Sequence, residues 1–133
     1  MTLDVIVIGG GPAGLSAATW LARYRRRVLV LDSREYRNRW ADTSHGYFSR
    51  DPVNPAELLA QARDDLDTYP TADVRHARAV TAAPHGDGGF EVVTEGERLP
   101  GPGWWWRLGS GTSSLMWRDS WSTMGPASFP VLL

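Results

Sequence analysis

The stretch Gly9-Gly10-Gly11-Pro12-Ala13-Gly14 constrains this chain more than any other, because its neighbours on both sides give it a structural context. Residues 3–8 read Leu-Asp-Val-Ile-Val-Ile, a β-branched apolar run suited to a parallel strand covered on both faces. From residue 12 to 24 the apolar and small residues Leu15, Ala18, Leu21 and Ala22 recur at helical spacing. Pro12 stands in the first turn, where its missing N–H costs nothing. A glycine-rich turn between a strand and a helix therefore follows, and a second apolar run at 28–31 completes a βαβ unit.

Within that unit G-x-G-x-x-G has a mechanical meaning. Gly9 permits a tight turn, Gly11 lets a pyrophosphate approach the backbone, and Gly14 lets the helix pack closely on the strand. The helix N-terminus behind them offers unpaired N–H groups and the positive end of a dipole to phosphate oxygens. Asp32 closes the second strand 18 positions after Gly14, near the offset at which a carboxylate accepts hydrogen bonds from adenosine ribose hydroxyls. The same carboxylate disfavours a 2′-phosphate. These residues read the adenosine and pyrophosphate shared by NAD and FAD, so spacing alone leaves both cofactors open.

Beyond Asp32 the chain is polar and irregular to residue 54, then helical over 55–69. Leu58, Leu59, Ala62 and Leu66 mark one side of that helix, and Asp64, Asp65 and Asp67 read as its solvated face rather than a metal site. Residues 74–83 and 90–94 read as strands separated by the turn residues of 85–89. Arg23, Arg25, Arg26 and Arg27 suit a solvated helix C-terminus, and His76 and His85 stand in no motif. A net charge of −1 gives no electrostatic reason to expect nucleic acid or an anionic membrane as partner. With no cysteine, these residues contain no disulfide, thiolate metal site or redox dithiol. The N-terminal apolar run is too short to span a membrane and lacks the basic flank of a signal peptide, so a cytoplasmic location is the default expectation.

The segment resembles the N-terminus of two-dinucleotide flavoproteins, in particular the thioredoxin-reductase-like family. Arg37-Asn38, His45-Gly46, Ser49-Arg50-Asp51 and Pro55-Ala56-Glu57-Leu58-Leu59 follow in the order found in a bacterial branch of that family, and the likeness covers about residues 3–99. The resemblance implies FAD rather than NAD as the bound cofactor, NAD(P)H as electron donor, and hydride transfer onward to a disulfide or other acceptor. It allows a homodimer. It also implies that Asn38 and His45 approach the cofactor and Val80 the adenine. The expected cofactor-contacting residues are thus Gly9, Gly11, Pro12, Ala13, Gly14, Asp32, Ser33, Asn38, His45 and Val80, with no catalytic residue assigned. The alternatives are an NAD-binding Rossmann domain of a dehydrogenase and a truncated, non-catalytic product.

After Leu99 the character changes. Five of the seven tryptophans lie between Trp104 and Trp121, and the only charges from residue 100 onward are Arg107, Arg118 and Asp119. Tryptophan has a single codon, TGG. Read one base earlier, Trp104 to Gly109 can encode an apolar residue, then Val-Val-Ala-Thr-Gly, the strand ending that the family carries at this place. We therefore expect an incomplete α/β, Rossmann-type FAD/NAD(P)-binding fold over residues 1–99. The expectation for 100–133 is an irregular Trp/Pro/Gly-rich tail, foreign to the family through a frameshift, that leaves a strand position unfilled and FAD binding weak.

Overall fold

A computed structural model describes residues 3–36, 40–84, 89–101, 104–107 and 115–117, the last two segments as backbone. Strand β1 (Val5–Ile8), helix α1 (Pro12–Arg23) and strand β2 (Val28–Asp32) form the βαβ unit, with β1 and β2 parallel and Val7 opposite Val30. Helix α2 (Pro55–Asp67) leads to β3 (Ala72–His76), which pairs in parallel with β2. The strands β4 (Ala79–Pro84), β5 (Phe90–Thr94) and β6 (Arg98–Gly101) make a separate antiparallel sheet. Strands β7 (Trp104–Arg107) and β8 (Leu115–Trp117) return to the first sheet, whose order is β3-β2-β1-β7-β8.

Period-2 alternation in β1 and β2 divides the core. Val5, Val7, Val28 and Val30 face Leu15, Ala18 and Ala22 of α1 and Leu59 and Leu66 of α2. Ile6, Leu29 and Leu31 face the other way and pack with Val92 of β5, alongside Ala79, Ala82 and Leu99. The central strands are therefore buried on both faces, which is why they read as unbroken apolar runs.

Both helices start at proline. Asn54 caps α2 by accepting from Ala56 N at 2.8 Å and Glu57 N at 3.4 Å. Helix α1 ends without glycine: Arg25 takes φ +59°, while Arg25 N and Arg26 N donate to Ala22 O and Leu21 O at 2.8 and 3.0 Å. The arginines around that end are exposed, as are Asp64, Asp65 and Asp67 on α2.

Two expectations need correction. The single strand over 74–83 is two strands in different sheets, and only Ala77 and Arg78 separate them. Ala77 N donates to Asp32 O at 3.2 Å, closing the parallel ladder before the chain crosses to the other face. No glycine or proline marks that break. Nor is the position beside β1 empty: β7 fills it in parallel register, with Ile6 opposite Trp105, and β8 pairs antiparallel with β7. An open edge of β1 offers unpaired N–H and C=O groups, and a run of β-forming aromatic residues can complete them. The remainder of the tail lies outside the described residues.

Candidate dinucleotide site

The chain leaves β1 through Gly9, whose φ of +113° only glycine adopts without strain. Gly9 N donates to Leu31 O at 2.8 Å, which ties the turn to the end of β2. A Cβ on Gly14 would overlap Gly9 O and stand 3.0 Å from Gly9 C, so the first turn of α1 lies against the loop as only glycine allows. Gly11 behaves oppositely. Its backbone is extended, and a Cβ there would meet nothing within 4 Å. The open space before Gly11 faces a helix N-terminus that has no side-chain cap, and Pro12 and Ala13 beside it are exposed. A group with negative charge fits such a place.

Gly10, which the spacing argument passes over, is held by a different contact. A Cβ on Gly10 would stand 2.7 Å from Asp32 Cβ and overlap the carboxylate itself, so Asp32 lies directly against the glycine loop. The loop and the carboxylate, read separately from sequence, are thus one site.

Asp32 is 3% exposed, and both of its carboxylate oxygens accept hydrogen bonds. Its Oδ1 accepts from Arg34 N at 2.9 Å, while Oδ2 accepts from the Tyr36 hydroxyl and from Arg63 Nη2, the latter at 3.1 Å. Arg63 Nη2 also donates to the Tyr36 hydroxyl oxygen, and its guanidinium lies over the Tyr36 ring. Burial pushes the Asp32 carboxyl up, but the hydrogen bonds from Tyr36, Arg34 and Arg63 and the charge of Arg63 outweigh it and hold it below the usual value. Burial, then the hydrogen bond to Asp32 and its charge, push the Tyr36 phenol up to about 12. Asp32, Arg34, Arg63, Asp67, Val74 and His76 line an adjoining cleft of about 150 Å³.

Tyr36 and Arg63 were not expected at this site. A signal for Arg63 is present in the sequence: it falls four residues after Leu59 and three before Leu66, on the apolar stripe of α2, where an arginine needs an anionic partner. Ser33 follows directly on β2 and is half-buried. His45 is 71% exposed, its Nδ1 lying 2.8 Å from Asp51 Oδ1, and Gly46 N steadies the same carboxylate at 2.9 Å. Val80 is 60% exposed on β4. The structure thus joins the glycines to Asp32 and gives His45 and Val80 surroundings of their own. Asn38 lies outside the described residues. Among the described residues no group of acidic residues and histidines is arranged to hold a metal ion, and no helix is long and apolar enough to cross a membrane.

The sequence pattern of the pyridine nucleotide-disulphide oxidoreductase family matches residues 3–95. The chain belongs to that family. Thioredoxin reductase tcpT of Claviceps purpurea is 39% identical over 95 residues, which cover 70% of this chain and 30% of that protein. Among solved structures, an oxidoreductase from Agrobacterium tumefaciens is 40% identical with a TM-score of 0.73, over 79% of this chain and 35% of that one. The atypical thioredoxin reductase TRi from Desulfovibrio vulgaris Hildenborough is 27% identical with a TM-score of 0.74, over 85% and 38%. The family member described here therefore spans well under half the length of these relatives. Its mixed α/β fold with a parallel sheet resembles part of the Rossmann-type domain of these solved structures.

Proposed function

We propose that this family member holds the adenosine-pyrophosphate end of FAD at the glycine loop, as the cofactor-binding part of a flavin-dependent oxidoreductase. The observation that carries the reading is the contrast between Gly14, whose missing Cβ the fold itself requires, and Gly11, whose missing Cβ opens onto empty space beside an uncapped helix end. Gly11, Ala13 and Gly14 present backbone to the pyrophosphate, with Gly9 setting the turn and Pro12 the first helical residue. Asp32, with Ser33 beside it, takes the ribose hydroxyls, and Val80 the adenine. Asn38 and His45 approach the flavin end, where Asp51 holds the exposed His45 ring through Nδ1. When bound, FAD supplies hydride acceptance from NAD(P)H and transfer to a disulfide or another acceptor. The chain's own residues bind and orient it.

Residues 100–133 read as out-of-frame translation, supported by the break in composition after Leu99 and by β7 lying where codons of the alternative frame can encode Val-Val-Ala-Thr-Gly. The nucleotide sequence across residues 89–121 tests this, since an in-frame continuation on re-sequencing refutes it.

Flavin absorbance of the purified protein separates FAD from NAD, because only a bound flavin absorbs blue light. A chain that takes up NAD in preference to FAD would favour the dehydrogenase reading.

A further inference from the structure

A carboxylate offers about four acceptor positions, two on each oxygen. Among the described residues three of those on Asp32 are taken: one on Oδ1 by Arg34 N, and both on Oδ2 by the Tyr36 hydroxyl and Arg63 Nη2. Asp32 is 3% exposed, and the position of its carboxylate against Gly10 leaves no room to shift toward the loop. A vicinal diol that grips both oxygens therefore has one vacant acceptor to meet, and it needs a second. Arg63 and Arg34 are poor candidates to yield it. Among the described residues Arg63 is the cation paired with this buried charge, and the Arg34 bond comes from backbone. Tyr36 is neutral and half-buried, and although its ring lies under the Arg63 guanidinium and against the core, it is tied to Asp32 by its hydroxyl, which a small turn of the side chain can withdraw.

From this arrangement we infer that the Tyr36 hydroxyl stands in the ribose position on Asp32, so that adenosine binds only as Tyr36 lets go, with Arg63 remaining as counter-cation. The inference rests on the reading of the glycine loop as a dinucleotide site. Tyr36 is thus a gate on affinity: it keeps the buried carboxylate satisfied before the cofactor arrives, and its displacement subtracts from the binding free energy. The phenol, pushed up to about 12, stays protonated and able to donate at every pH where the protein is folded near neutrality. The other titratable groups of the adjoining cleft, Asp67 and His76, make no hydrogen bond to the Tyr36 hydroxyl among those described.

Titration calorimetry of the full chain with ADP and with 2′,3′-dideoxy-ADP, for wild type and Tyr36→Phe, tests the gate. Removing a hydrogen bond that competes with the ligand should tighten ADP about two- to tenfold, and leave the dideoxy ligand, which cannot claim the Asp32 oxygen, unchanged. Carbon NMR of tyrosine-labelled wild type, assigned by single Tyr→Phe replacements, supplies a readout that does not depend on the stability of the variant. ADP should move the Tyr36 resonance to that of a solvated phenol, and the dideoxy ligand should not. Equal ADP affinity in both proteins with an unmoved Tyr36 resonance would overturn the gate alone. If neither protein bound ADP, the dinucleotide reading would fall and the gate with it.

Discussion

Gly11 and Gly14 share one motif but answer to different demands, and two alanine substitutions separate them. Gly14→Ala drives a Cβ into Gly9 O, a backbone atom that cannot swing aside, and should cost about 2–3 kcal/mol or more of stability in denaturant unfolding. Gly11→Ala meets nothing in the protein and should cost less than about 1 kcal/mol, its effect appearing in ligand affinity instead. Asp32 carries a pH signature. Its folded-state value is depressed, so the stability it contributes is present above the ordinary carboxylate value near 3.9 and is lost as pH falls through the folded value. Asp32→Asn should therefore flatten the acid limb of the stability curve and, by stranding Arg63, cost about 1–3 kcal/mol at neutral pH. The glycines and Asp32 were legible because backbone geometry and a cofactor's fixed length dictate their spacing. Tyr36 and Gly10 were not, because their roles depend on where the Asp32 carboxylate comes to rest, a tertiary fact with no sequence period.

At the scale of elements, the start of each helix is written in local chemistry and its end is not. Asn54 before Pro55 is a cap that sequence specifies, and Asn54→Ala should destabilise by about 1 kcal/mol, measured by thermal or denaturant unfolding. Helix α1 ends on Arg25 at φ +59°, a conformation that favours glycine. Arg25→Gly should raise stability by about 0.5–1 kcal/mol in the same assay, and a loss would mean that the Arg25 side chain contributes more than its backbone strain costs. Strands β1 and β2 were legible from unbroken apolar runs, since both of their faces are covered. The division between β3 and β4 was not, since Ala77-Arg78 carries no turn chemistry and the chain changes sheets because β3 has reached the end of β2.

On the scale of the whole molecule, three layers depend on the central β1–β2 pair: helices on one face, the β4–β6 sheet on the other, and β7 along the β1 edge. The compositional break after Leu99 was visible in the sequence, but the pairing of β7 with β1 was not, because it follows from what β1 lacks rather than from what the tail contains. Ending the chain after Gly101 should open that edge and cost about 2–4 kcal/mol, read as a lowered unfolding midpoint and increased aggregation. The central claim, that the glycine loop with Asp32 holds the adenosine-pyrophosphate end of a dinucleotide, is tested most directly by titrating FAD into the wild-type chain and Gly11→Ala, followed by calorimetry. One-to-one binding by the wild type, weakened at least about tenfold in a Gly11→Ala protein of matching unfolding midpoint, is the expected result. Equal FAD affinity in the two proteins, or no binding by the wild type, would contradict it.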